Sequence, residues 1–141
     1  MTLDVDADFW GKENCTEVLN LSRPDIVRDI HRGYYEAGAD MVLTNSFGGS
    51  PVTLAEFELE DRAFEINKLS VELAREAAEG FADGRHRWVV GDIGPGTKLP
   101  TLGHVDYQTL EDALAVQSAG LVAGSVDAIL VETCQDPLQI K

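Results

Sequence analysis

The chain has 141 residues, of which 44% are hydrophobic and 26% charged, and these proportions are typical of one ordinary globular domain. Its 25 acidic and 11 basic residues give a net charge of −14, which argues against nucleic acid as a partner because phosphate binding needs a basic surface. No apolar stretch approaches the roughly 18 residues of a membrane span, and residues 1–6 do not form a signal segment. Cys15 and Cys134 form no paired motif, so we expect a cytoplasmic protein without disulfides.

The first predicted helix follows a segment, residues 1–21, that we expect to be irregular with Trp10 as its one large anchor. Ser22 is expected to cap this helix, with Pro24 in the first turn and Asp25 completing a capping box. Its buried face is predicted from apolar residues at helical spacing, namely Ile26, Val27, Ile30, Tyr34 and Ala37. Gly38 is expected to end the helix.

A first strand is predicted over residues 40–46, and a glycine-rich turn then leads into a second helical region. This region is expected to break near Leu59 and to continue as a stronger helix over residues 61–79. The buried face of that helix is predicted to consist of Ile66, Leu69, Leu73, Ala74 and Ala77. A polar loop over residues 81–87 and a second strand over residues 88–93 should follow.

Residues 94–105 are predicted to form a long loop, after which Asp106 caps a third helix that runs to about Ala123. A third strand is expected over residues 127–132, and Asp136-Pro137 has the form of another helix start. Strands that alternate with helices predict an α/β fold with a parallel sheet, either a (β/α)₈ barrel or a doubly wound sheet. Three strands are too few to close a barrel.

Polar residues follow each predicted strand, and the ends of parallel strands lie at one edge of a sheet. Glu132 is the strongest site candidate, and either binding of a ligand ammonium or a structural ion pair would satisfy its charge. Thr44, Asn45 and Ser46 could orient a ligand, although turn formation is the simpler explanation for Thr44 and Ser46. Asp92 is more typical of a residue that organises a loop.

Other motifs favour structural interpretations. Thr97 precedes Lys98 after Gly94-Pro95-Gly96, which is the wrong order for a phosphate-binding loop. The three histidines, His31, His86 and His104, are far apart in the sequence and predict no zinc site. Cys134 is most simply a small packing residue.

Three longer motifs belong together: residues 19–24, residues 36–40 and the run Thr44-Asn45-Ser46-Phe47-Gly48. As a set they resemble the homocysteine S-methyltransferase family. Within that family, residues 90–104 and residues 127–136 are similar to the homocysteine-binding domain of cobalamin-dependent methionine synthases. The resemblance covers nearly the whole chain after about residue 10.

The resemblance implies a (β/α)₈ barrel in which zinc activates the homocysteine thiol for attack on a methyl group carried by methylcobalamin. Carried over by motif, Glu132 would bind the amino group of homocysteine. Thr44, Asn45 and Ser46 would line the substrate pocket. Gly94 and Pro95 would shape the adjoining loop.

The chain also departs from the family pattern. The family's first barrel strand and its acidic residue are absent, and neither Cys15 nor Cys134 matches any of the family's zinc cysteines. We therefore expect residues 1–141 to form part of the homocysteine-binding domain, without the first strand and the C-terminal half. We expect no catalytic residue, no zinc binding and no methyl transfer by this chain alone. Its partners would be the other half of the barrel and the cobalamin- and folate-binding domains.

Two alternatives remain open. Betaine or S-methylmethionine could replace methylcobalamin as the methyl donor in an enzyme of the same family. In a different class of function, the chain would be a non-catalytic remnant or an interaction module.

Overall fold

A computed structural model describes residues 2–81 and 83–141 of the chain. Its helices and strands, in chain order, are α1 (Leu19–Ser22), α2 (Pro24–Glu36), β1 (Met41–Leu43), α3 (Pro51–Leu54), α4 (Ala63–Glu79), β2 (Trp88–Ile93), α5 (Tyr107–Ala123) and β3 (Ala128–Val131). Short 3₁₀ helices cover Thr16–Val18, Ala55–Phe57, Glu60–Arg62, Pro100–Leu102 and Pro137–Gln139. The predicted irregular start includes Met1 and the predicted loop 81–87 includes Ala82, and these two residues lie outside the described part.

The three strands form one parallel sheet in the order β1-β2-β3, which confirms the predicted architecture. Val42 pairs with Val89, and Gly91 pairs with Ile129. The bounds of β2 agree with the prediction, whereas β1 and β3 are shorter than predicted at both ends. Within the described ranges, no helix combines the length and the hydropathy needed to cross a membrane.

The helices cover one face of the sheet. Val89 and Ile93 of β2 pack in one core with Val71 and Ala74 of α4 and with Leu121 of α5. Because side chains alternate along a strand, the intervening residues point to the other face. There Met41, Leu43, Trp88 and Leu130 are exposed among the described residues.

Helices α4 and α5 approach closely because two glycines of α5 face α4. A Cβ atom added to Gly120 would lie 2.6 Å from the carbonyl oxygen of Phe64. One added to Gly124 would lie 2.6 Å from the Cβ of Val71. The absence of these side chains brings α4 and α5 together over β2.

The prediction that residues 1–21 are irregular is wrong beyond Cys15. The 3₁₀ helix Thr16–Val18 and helix α1 form there, and Cys15 and Val18 are fully buried against Leu54 and Ile66. Trp10 is largely exposed and does not anchor the segment. Long-range packing supplies the order that this segment's local sequence pattern does not indicate.

Ser22 does not cap α2, contrary to the prediction. It is the last residue of α1, and its hydroxyl donates to the carbonyl oxygens of Asp8 and Val18. Arg23 holds the N-cap position without a side-chain cap, and its guanidinium binds Asp8 and Asp25. Asp25 therefore forms an ion pair instead of completing a capping box.

The buried face of α2 is rotated relative to the prediction. Ile26 and Val27 are buried as expected, but Ile30 and Tyr34 are more than half exposed. His31 and Tyr35 are buried in their place, and Tyr35 packs in the core with residues of α4 and the sheet. Ala37 is exposed as well. Gly38 follows the helix with φ +103°, in the left-handed region that was expected.

The later elements follow the prediction closely. The helical region breaks near Leu59, where Glu58 adopts a left-handed conformation. The predicted face of α4 is buried, with Leu69 only partly so. The Asp106 carboxylate caps α5 by accepting from the Thr109 N–H at 2.9 Å, and Asp136 caps a 3₁₀ turn.

Candidate functional site

The ends of β1 and β2 are joined by a closed chain of hydrogen bonds. The Asp92 N–H donates to Thr44 Oγ1 at 3.1 Å, and the hydroxyls of Thr44 and Ser46 lie 2.6 Å apart. Ser46 Oγ in turn donates to the Asp92 carbonyl oxygen at 2.7 Å. Thr44 and Ser46 are both buried. Their hydroxyls fix the strand ends, and the prediction that these residues line a substrate pocket stays untested.

Asn45 joins the same strand end to the N-terminal segment. Its Nδ2 donates to the Thr16 carbonyl oxygen at 2.8 Å and to Asn20 Oδ1 at 3.0 Å. The amide of Asn20 is buried and donates back to the Asn45 carbonyl oxygen at 2.8 Å. The side-chain amide of Asn45 is thus occupied within the chain, and its role toward a ligand remains a prediction.

Asp92 is buried, with 6% of its surface exposed, and its Oδ1 has no hydrogen-bond partner among the described residues. Burial raises the pKa of this carboxyl to about 7, and the neighbouring carboxylates of Glu132 and Glu17 add to the effect. The interpretation of Asp92 as a residue that organises a loop therefore does not account for its burial and its raised pKa. An acidic side chain at a strand end was visible in the sequence, but its burial was not.

Glu132 follows β3, where its N–H extends the ladder by donating to the Ile93 carbonyl oxygen at 3.1 Å. Asp92 pairs with Leu130, so Glu132, two residues further on, points to the same face as Asp92. The side chain is half-buried. All four residues of β3 are exposed at the edge of the sheet.

Glu17 is the third acid at this edge and is not among the predicted site residues. Its side chain is buried, and Oε1 accepts from the Gly48 N–H at 2.7 Å. No sequence pattern distinguishes it from the other acids of the N-terminal segment. We call Glu17, Asp92 and Glu132 the acidic cluster. Within the part of the chain that the structure describes, none of the three forms a salt bridge.

Phe47 and Gly94 pack together beside the acidic cluster. The Gly94 N–H donates to the Phe47 carbonyl oxygen at 3.0 Å. A Cβ atom on Gly94 would lie 2.7 Å from three ring atoms of Phe47, so glycine permits this contact. The ring is 43% exposed and lies next to the strand end that carries Asp92.

The loop after β2 is fixed by the segment that follows Glu132. Gln139 Nε2 donates to the carbonyl oxygens of Pro95 at 2.9 Å and Lys98 at 3.2 Å. The Asp136 carboxylate accepts from the Thr101 N–H at 2.8 Å. Gly94 and Pro95 thus begin an ordered loop that adjoins the acidic cluster, and their predicted contribution to substrate binding is not tested by this arrangement.

The described residues do not form a zinc site. No three His, Cys, Asp or Glu side chains within residues 2–81 and 83–141 are placed to hold a metal ion. Burial raises the pKa of both thiols, that of Cys15 to about 11, whereas a metal ligand must be a thiolate. We therefore derive no chemical step through zinc from these residues.

The histidines lie at separate places, as the sequence predicts. His31 is buried in α2, His86 packs against the ring of Trp88, and His104 Nδ1 accepts from the Leu99 N–H at 3.3 Å. Burial lowers the pKa of His31 to about 4.

Comparison with known proteins identifies the family. The model of the family described as homocysteine S-methyltransferase matches residues 2–141. The chain belongs to the homocysteine S-methyltransferase family. Two curated relatives are both described as methionine synthase: the protein of Mycobacterium tuberculosis is 47% identical over 142 residues, and that of Mycobacterium leprae is 46% identical over the same length. The chain is covered completely in both comparisons but spans only 12% of the length of each relative.

Solved structures of this family share the fold. The homocysteine methyltransferase MmuM from Escherichia coli, in its oxidized form, matches with a TM-score of 0.76 and 21% identity, over 98% of this chain and 50% of that one. Its metallated form matches with a TM-score of 0.73 and 20% identity, over 97% and 54% of the two chains. The predicted part of a (β/α)₈ barrel, with three parallel strands and intervening helices, is thereby confirmed.

Proposed function

We propose that this chain forms part of the homocysteine-binding site of a methionine synthase, with Glu132 as the partner of the substrate's ammonium group. The observation that carries the proposal is the acidic cluster, which lies at the carboxyl edge of a parallel sheet and lacks a basic partner among the described residues. Neighbouring carboxylates in a partly buried site favour a bound cation. The family and its methionine synthase relatives support homocysteine as the source of that cation.

The residues around the cluster suit amino-acid binding better than catalysis. Glu132 is half-buried and, among the described residues, accepts a hydrogen bond from the adjacent Thr133 hydroxyl, and its carboxylate can also accept from a ligand. The hydroxyls of Thr44 and Ser46 hold the edge in place. We propose that Gly94 and Pro95 position the loop over the ligand and that Asn45 fixes the opposite wall.

The proposal assigns sulfur activation and methyl donation to other parts of the protein. The resemblance implies zinc for the thiol and cobalamin for the methyl group, but the described residues supply no ligand set for zinc. The relatives named methionine synthase support cobalamin over betaine or S-methylmethionine as the donor. The remaining barrel strands and the cobalamin- and folate-binding domains are the proposed partners of this segment, in a cytoplasmic enzyme.

A binding comparison tests the role of Glu132. The full-length protein is titrated calorimetrically with homocysteine and with 4-mercaptobutyrate, which keeps the thiol and carboxylate but lacks the amino group. The native protein should prefer homocysteine, and Glu132→Gln should reduce this preference by roughly 10- to 100-fold, the effect of losing one charge-assisted hydrogen bond.

The matched control is Glu111→Gln on the exposed surface of α5, which should leave the preference unchanged. Equal affinities of the native protein for the two thiols would contradict an ammonium site. Failure to bind either thiol would favour the alternative that the protein is a non-catalytic remnant or an interaction module.

A further inference from the structure

Asp92 and Glu132 differ in how their charges are accommodated. Asp92 is almost completely buried, and one of its carboxyl oxygens has no partner among the described residues. Glu132 is half-buried and reaches solvent. Because the register places both side chains on the same face, two negative charges would occupy one corner of the site.

Among the described residues, the surroundings of Asp92 supply no positive charge. The end of β1 contributes the neutral hydroxyls of Thr44 and Ser46, which bind each other and the Asp92 backbone. The 3₁₀ helix Thr16–Val18 contributes Glu17, which repels a second negative charge.

Past β3, the Cys134 thiol lies 3.5 Å from the carbonyl oxygen of Glu132, and burial raises its pKa. In the loop after β2, Lys98 forms an ion pair with Glu56 at 2.9 Å. No described group that faces Asp92 therefore offsets its charge.

We propose that Asp92 and Glu132 share one proton in the ligand-free protein and that binding of the substrate's ammonium group releases this proton to the solvent. The second part rests on the proposed function. Asp92, the more buried of the two, carries the proton on its carboxyl. When the ammonium binds, it keeps its three protons, the Asp92 carboxyl becomes a carboxylate, and one proton passes to the buffer.

The consequence is a substrate affinity that depends on pH in a defined direction. Burial and the neighbouring carboxylates raise the pKa of Asp92 to about 7. Below that pH the ammonium must displace a proton, and above it the ionised pair is already formed. Affinity for homocysteine should therefore increase by roughly tenfold from about pH 6 to about pH 8.

Calorimetry on the full-length protein measures the released proton directly. Homocysteine is titrated at about pH 6 in buffers of different ionisation enthalpy, and the native protein should release roughly one proton more per ligand bound than Asp92→Asn does. Any proton that the homocysteine thiol loses is common to both proteins, so the difference reports the Asp92 carboxyl, and the affinity of Asp92→Asn should rise less than that of the native protein between the two pH values. The control Asp112→Asn, on the exposed side of α5, should behave like the native protein. Equal proton release by the native protein and by Asp92→Asn would overturn the proposal.

A measurement without ligand separates this inference from the proposed function. The carboxyl carbon of Asp92 is followed by ¹³C NMR during a pH titration of the full-length protein. A midpoint of about 7 that falls in Glu132→Gln supports proton sharing even if homocysteine does not bind. A titration midpoint of Asp92 at the ordinary value of about 4 would overturn the proposed proton sharing even if homocysteine binds.

Discussion

Asn20 and Asn45 bind each other in both directions. The side chain of Asn20 donates to the carbonyl oxygen of Asn45 at 2.8 Å, and the side chain of Asn45 donates to Asn20 Oδ1 at 3.0 Å. Asn20 also donates to the Ile66 carbonyl oxygen of α4 at 3.2 Å. One buried amide thus connects the N-terminal segment, the end of β1 and α4.

Replacing Asn20 with Ala should destabilise the protein by roughly 2–4 kcal/mol, because it leaves several buried polar groups without a partner. Urea denaturation of the native and variant proteins measures the difference. Gln108→Ala removes an exposed amide from α5 and should change the stability by less than about 0.5 kcal/mol. If the two variants were equally stable, the buried amide would not hold the three elements together.

Gly120→Ala should destabilise the protein by roughly 1–3 kcal/mol, although alanine favours a helix over glycine. The added Cβ would meet the carbonyl oxygen of Phe64 at 2.6 Å and force α4 and α5 apart. Gly33→Ala in α2 is the matched control, since its Cβ would meet nothing within 4 Å. Thermal unfolding should show that this control variant is more stable than the native protein by about 0.5–1 kcal/mol. Similar shifts for both variants would refute a close contact between α4 and α5.

A double-mutant cycle can test the contact between Gly94 and Phe47. Gly94→Ala alone should cost roughly 1–3 kcal/mol of stability, because its Cβ would overlap the Phe47 ring. In a Phe47→Ala background the same change should cost less than about 1 kcal/mol, since the ring is gone. Additive effects of the two substitutions would show that the ring and the glycine do not interact.

The stability contributed by Asp92 should depend on pH. Its pKa in the folded protein, about 7, lies above the ordinary value of 3.8, so the folded protein holds a proton that the unfolded chain releases. The free energy of unfolding should therefore fall as the pH rises between about 4 and about 7. Asp92→Asn, which carries no charge, should be more stable than the native protein at about pH 8 by on the order of 1–3 kcal/mol and nearly equal to it at about pH 4. Chemical denaturation at both pH values measures this, and a pH-independent difference would contradict it.

The parts of the fold that local sequence determines were predictable. Helix caps such as Asp106, the glycine after α2 and the apolar core of β2 depend on neighbouring residues, and the structure has them as predicted. The convergence of polar strand ends at one edge follows from the parallel sheet alone.

The environment of each site residue could not be predicted in the same way. The burial of Glu17 depends on Gly48, which is far away in the sequence, and the burial of Asp92 depends on residues of three segments. Ser22 has a good capping side chain, yet it is the last residue of α1, and its hydroxyl donates to the Asp8 carbonyl oxygen. Contacts of this kind are decided by tertiary packing, which a local sequence pattern does not encode.

The hydrogen-bonded chain of Thr44, Ser46 and Asp92 has a consequence for the thermodynamics of binding. These bonds hold the ends of β1 and β2 in place without any ligand. An incoming molecule therefore does not have to restrict the backbone at this edge, and little conformational entropy is lost there. Because the backbone at this edge is already held in place, the affinity for a ligand should depend mainly on the enthalpy of binding and on the hydration of the buried Asp92 carboxyl.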